Sequence, residues 1–126
     1  MIRVQHLSVT GDSTRLRAEA ERILSNHRKF KSSSWRSEDV LIANFGLSIL
    51  AWKQTITVAV VESNAQASEL WVGGQVPALI DYGINKRNLR WFSDALADAG
   101  FGVIEGPVED SWPQLLHRSE SHATRG

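Results

Sequence analysis

The sequence predicts an α+β protein: a two-layer sandwich with an antiparallel sheet of about four to five strands and two helices on one of its faces. Three observations lead there. Short β-rich runs alternate with two stretches whose apolar residues recur at helical spacing. Their order along the chain, β-α-β-β-β-β-α, suits one sheet with both helices on the same side. No internal repeat or linker divides the 126 residues into two packed halves. Residues 1–117 therefore read as a single domain, long enough to bury a core without staples. Residues 118–126 are polar, lack apolar periodicity, and are expected to form a disordered tail.

Residues 2–9 form the first β-rich run, ended by the turn signal Thr10-Gly11-Asp12. Asp12 or Ser13 can cap a helix reaching about Asn26, with Leu16, Ala20, Ile23 and Leu24 as its apolar stripe. Residues 30–39, with the serines 32–34 and Trp35, read as an exposed edge strand or a loop. Residues 40–52 allow two readings. Leu41, Phe45, Ile49 and Trp52 would share one helical face, but Leu41, Ala43, Phe45, Leu47 and Ile49 also alternate with more polar neighbours. Gly46 within a helix would cost about 1 kcal/mol relative to alanine, which favours a strand over 40–45 followed by a bend. Residues 54–62 make the clearest strand, with Ile56, Val58 and Val60 on one face and Thr55, Thr57 and Val61 on the other. A further strand spans 69–76, ended by Pro77. Leu89, Phe92 and Leu96 give the second helix its core face, and Gly100 closes it. Residues 101–104 are short enough to add at most a small strand.

Composition narrows the class. Apolar residues make up 42% and charged residues 22% of the chain, ordinary values for a globular protein. Cysteine is absent, which excludes disulfides and thiolate metal sites. The N-terminal residues have no apolar stretch behind a basic start, and the run 40–52 is too short and too polar to span a bilayer. These points predict a cytoplasmic protein without a membrane partner. Fourteen basic and fourteen acidic residues balance overall. Arg15, Arg17, Arg22, Arg28, Lys29, Lys31 and Arg36 nevertheless make the first third basic, and Glu105, Glu109 and Asp110 make the end acidic. Without interleaved aromatics, the basic residues read as solvated helix faces, and a nucleic-acid partner is disfavoured.

The most specified segment is 81–89, where a turn feeds the second helix. Gly83 can take positive φ. Asn85 can accept from the first amides of a helix, with Asn88 within reach of the cap. Asp81 suits acceptance of turn amides. Together with Ser48 and Trp52, this segment resembles a group of small bacterial α+β proteins of unassigned activity. That group carries a Ser-x-x-Ser-Trp-Gly bend and an Asp-Trp-Gly-Lys-Asn-x-x-Asn helix start. Here Ala51 stands for the second serine, Lys53 for the glycine, Tyr82 for the tryptophan and Ile84 for the lysine. The resemblance covers about residues 39–96 and supports the strand reading of 40–45. It implies no activity, and an environmental or mobile-cassette reading frame would be in keeping with it.

Catalytic chemistry is not legible. His6, His27, His117 and His122 lack metal-ligand spacing, and no G-x-S-x-G elbow accompanies the serines. No cofactor and no enzyme activity are expected. Lys86, Arg87 and Arg90 near the start of the second helix oppose its dipole, so with Asn85 they form a candidate anion site. Tryptophan is frequent, and Trp35, Trp71 and Trp91 fall outside the main apolar stripes. With Thr57, Ala59 and Val61 they are the interface or ligand candidates. The expected function is a non-enzymatic interaction module that forms a homodimer through the uncovered sheet face. The alternative is a small-molecule binder, for an apolar or anionic ligand, with a Trp-lined pocket between sheet and helices.

Overall fold

In the computed structural model, which describes residues 2–46, 53–76 and 83–113, the chain runs β1 (Ile2–Thr10), α1 (Ser13–Ser25), β2 (Phe30–Trp35), β3 (Val40–Phe45), β4 (Gln54–Ser63), β5 (Ala67–Gln75), α2 (Ile84–Asp98) and β6 (Gly102–Glu109). These strands form one antiparallel sheet in the order β2-β3-β4-β5-β1-β6. The α+β class is thus the one the sequence predicts, with six strands among the described residues rather than four to five. No described helix is long and apolar enough to cross a membrane.

Local chemistry explains the element ends. Asp12 caps α1, its carboxylate accepting from the amides of Thr14 at 2.8 Å and Arg15 at 3.2 Å. At the far end of α2, Gly100 takes φ 98°. Its amide donates to Ala97 O at 3.0 Å, and the Phe101 amide donates to Leu96 O at 3.2 Å. That is the Schellman pattern, and the side chains of Phe101 and Leu96 are both buried in the core beneath it. β3 has the predicted bounds, which decides between the two readings as far as Phe45; Ser48 and Trp52 lie outside the described residues.

The start of α2 differs from the expectation. Gly83, at φ 78°, occupies the N-cap position, so a glycine backbone in the left-handed region makes the entry. Asn85 lies inside the first turn, fully buried, with its amide oxygen against Gly74 of β5. Asn88 turns to the sheet as well, donating from Nδ2 to Gln54 Oε1 at 2.9 Å. Both asparagines therefore serve helix-on-sheet packing rather than the cap. The reason is their phase: positions 85, 88, 89, 92 and 96 share one helical face, and it is the buried one. Asp81 lies outside the described residues.

β6 is longer than the short strand predicted. Gly106 and Pro107 suggest a break, but β6 is an edge strand, and its register against β1 shifts between Gln5 and Leu7. A proline is tolerated at such a place because no ladder partner needs its missing N–H. Gln5 Nε2 donates to Gly106 O at 2.8 Å across the irregularity.

Both helices contribute to one core. Leu16, Ala20, Ile23 and Leu24 of α1 and Leu89, Phe92 and Leu96 of α2 bury against Leu7, Val9, Leu41, Ile56, Val58, Leu70 and Val72 of the sheet. Each large side chain so buried contributes about 1.5–3 kcal/mol. α1 covers the β2–β3 side and α2 the β5–β1–β6 side, so among the described residues no helix lies on the opposite face of the sheet.

Candidate functional site

Successive strand residues point to opposite faces, so registers that place Ile56, Val58, Leu70 and Leu7 under the helices place a second set beyond the sheet. One row across β3, β4, β5 and β1 is Val40, Ala59, Trp71 and His6. The next is Ile42, Thr57, Gly73 and Val4. Val4 is fully buried and Ala59 only 5% exposed, while Val40, Ile42, Thr57 and Trp71 are half-buried. The Trp112 indole lies against this face over Gly73 and beside Val4, where a Cβ on Gly73 would collide with it. The face is therefore apolar enough to hold an indole, and glycine at position 73 makes the recess that receives it.

A polar cluster borders the apolar rows. Glu69 Oε2 accepts from Ser8 Oγ at 2.7 Å and pairs with His6 Nε2 at 2.8 Å. The His6 ring meets Trp71 at 5.3 Å between centroids, tilted by 58°. Serine, histidine and carboxylate are thus adjacent, but both the hydroxyl and the imidazole are directed at the carboxylate. A nucleophilic serine needs its proton held by the imidazole, and this arrangement gives it to Glu69 instead. The cluster orients His6 and Trp71 rather than activating Ser8. Among the described residues no group of three metal-ligating side chains converges.

The structure separates the candidates predicted from sequence. Thr57, Ala59 and Trp71 come together on the second face. Val61 is the extra residue at the shift in register between Val60 and Glu62, and is 37% exposed. Trp35 and Trp91 lie on the opposite, helix-bearing side. Trp35 Nε1 donates to Glu21 of α1 at 3.2 Å, and Trp91 meets His27 edge-on at 4.9 Å. Both pack on the core cluster, so no single pocket gathers the three tryptophans. The candidate anion site is also divided: Lys86, Arg87 and Arg90 are exposed on α2, whereas Asn85 faces the sheet.

Two titrating groups stand out. Burial, then the charges of Lys29 and Arg28, lower the His27 pKa below its ordinary value, and His27 Nδ1 accepts from the Lys29 amide at 3.0 Å. Glu19 is lowered by its hydrogen bond with Arg22, which is 2.6 Å away as an ion pair.

Sequence reasoning misses Trp112 and the His6–Glu69 pair. Trp112 follows the polar run Glu109-Asp110-Ser111, with no periodicity to assign it to a face. His6 and Glu69 are 63 positions apart, and only the β1–β5 register brings them together. Compared with known protein families and with curated proteins, the chain shows no match to either.

Proposed function

We propose that the protein is a non-enzymatic interaction module that self-associates through the helix-free face of its sheet. The observation that carries this reading is the pair of rows Val40–Ala59–Trp71 and Ile42–Thr57, mostly apolar side chains contiguous across three central strands with neither described helix over them. Antiparallel sheets commonly turn one face to water, but that face is then polar. A contiguous apolar patch instead marks a contact surface. Trp112 shields the Val4–Gly73 end, so the part left for a partner centres on the half-buried Trp71, Val40 and Ile42. A two-fold pair is the commonest closed arrangement for such a surface. The proposed setting is the cytoplasm, in keeping with the cysteine-free composition.

Sedimentation of the full chain tests the reading. At micromolar concentration a dimer is expected, and Trp71→Ser is expected to shift it towards monomer. Arg22→Ser, on the helix side where Arg22 pairs with Glu19, is expected to leave it unchanged. Monomer alone at high protein concentration defeats the proposal. The ligand-binding alternative gains no specific support, because Trp71 and the pair Trp35 and Trp91 occupy opposite sides of the sheet.

A further inference from the structure

A second surface carries a different chemistry. Arg28, Lys29 and Lys31 fall in the basic first third of the sequence, but they are not on a helix, because α1 ends at Ser25. They follow it in a tight turn and the start of β2. The Phe30 amide donates to His27 O at 3.0 Å, and the Lys29 amide donates to His27 Nδ1 at 3.0 Å. The Gly46 amide donates to Lys29 O at 2.7 Å, tying the turn to the end of β3. Lys31 lies across Gly46, where a Cβ would stand 2.8 Å from its Cε. Lys53 joins them from the residue before β4, because Gln54 pairs with Phe45 at the same end of the sheet.

Two chain segments, 28–31 and the residue before β4, thus bring four cations to one cleft of about 810 Å³, and the end of β3 completes its lining. Among the described residues no Asp or Glu lines it, and none of the four cations is in an ion pair with a carboxylate. In a chain whose charges balance overall, this concentration is uncompensated, and the mutual repulsion of the four is relieved by an anion. The cleft also offers neutral hydrogen-bonding groups. Asn44 Nδ2 donates to Ser32 Oγ at 3.4 Å, and Thr55 Oγ1 donates to Asn44 Oδ1 at 3.4 Å, which orients the amide. His27 beside this cluster has its pKa lowered, first by burial and then by the charges of Lys29 and Arg28.

We propose that this cleft binds a compact polyphosphate anion, a short phosphate chain either free or carried by a nucleoside. The charge count suits three or four phosphate negative charges. The four cations are among the residues that line an open cleft, whose volume falls in the range of small-molecule sites, about 300–1,000 Å³. Lysine contacts phosphate as a point charge, and Phe30, between Lys29 and Lys31, packs on the core cluster and so anchors the segment that carries them. The cleft lies at the end of β2 and β3, where Ser32 and Asn44 continue the sheet face that carries Ile42 and Thr57.

Calorimetric titration of the full chain at low ionic strength, with sodium tripolyphosphate and with ATP as separate probes, tests it. A Kd of about 10 µM is expected, weakening with added salt as screening shortens the reach of the charges. The double variant Lys29→Gln, Lys31→Gln is expected to weaken binding about tenfold or more through the lost Coulomb attraction. The triple variant Lys86→Gln, Arg87→Gln, Arg90→Gln on α2 is expected to leave it unchanged. Equal binding of the two probes identifies the phosphate chain as the ligand, and tighter binding of ATP identifies a nucleoside triphosphate. Three results overturn the proposal: neither probe binds; the α2 variant loses as much affinity as the cleft variant; or a single-stranded oligonucleotide binds where tripolyphosphate does not. Circular dichroism of each variant confirms that the fold persists, since all the substituted side chains are at the surface or half-buried.

Discussion

Gly73 and Trp112 illustrate how one missing methyl group can decide a face. In the interior of a strand, glycine is unfavourable by about 0.5–1 kcal/mol relative to alanine, so Gly73→Ala by propensity alone would stabilise β5. The new Cβ would instead collide with the indole and lie 3.0 Å from Val4 Cγ1, and overpacking of this kind costs about 1–3 kcal/mol. Gly73→Ala is therefore expected to destabilise the native chain and to be much less harmful in a Trp112→Ala background. A double-mutant cycle read by denaturant midpoints measures the difference; equal effects in both backgrounds would show that the indole does not seat on Gly73. His27 makes a second prediction at this scale. Its folded pKa lies below the ordinary value of about 6.5, so between the two values the unfolded chain binds more protons. Stability then rises with pH through that window. The contribution is full above about pH 6.5 and is lost as pH falls towards the folded value. Protonation also removes the acceptor that holds the Lys29 amide. His27→Gln is expected to flatten this part of the profile of unfolding free energy against pH, whatever its constant offset, and an unchanged slope would contradict the assignment.

At the scale of elements, the two helices are ended by different devices, and each can be removed singly. Asp12→Ala leaves the amides of Thr14 and Arg15 without their acceptor, at an expected cost of about 1 kcal/mol. Gly100→Ala forces a Cβ into φ 98° and is expected to cost about 1–2 kcal/mol, since an L-residue is strained there. Chemical denaturation of the two variants checks both, and a Gly100→Ala chain as stable as the parent would refute the Schellman ending. Asn88→Ala makes a useful contrast, because it strands the buried Gln54 amide and not a helix end. The helix ends were legible in sequence because capping is local: the donor and acceptor are two to five residues apart. The entry to α2 was only partly legible. Gly83 was correctly expected to take positive φ, but Asn85 and Asn88 look like capping residues by type and spacing. Their burial depends on which side of α2 meets β4 and β5, and that is not a property of eight consecutive residues. β2 and β6 were under-read for a related reason. Edge strands tolerate serines, Gly106 and Pro107, so their composition resembles that of loops.

For the whole molecule, the two described helices pack on one face of the sheet, and the dimer proposed for the other face has a thermodynamic consequence. If folding is coupled to pairing, the melting temperature rises with protein concentration by mass action. That rise is expected for the parent chain and not for Trp71→Ser. A melting temperature independent of concentration in both would argue against association, in agreement with a purely monomeric sedimentation profile. The polyphosphate cleft lies at the β2–β3 end of the same sheet, and its occupation is expected to raise the melting temperature without changing this concentration dependence.

By itself the sequence determined the α+β class, the alternation in β4, the apolar stripes of both helices and the Gly100 ending, favoured a strand over 40–45, and narrowed the α1 cap to Asp12 or Ser13. All of these follow from period, propensity or contacts within a few residues. Only the tertiary structure decided which tryptophans share a face. Strand pairing turns Trp71 away from the helices, and helix docking sends Trp35 and Trp91 towards them. The same long-range pairing joins His6 to Glu69, seats Trp112 on Gly73, and gathers Lys29, Lys31 and Lys53 into one cleft. Those relations rest on sheet order and register, which combine segments tens of residues apart and leave no periodic trace in any one of them.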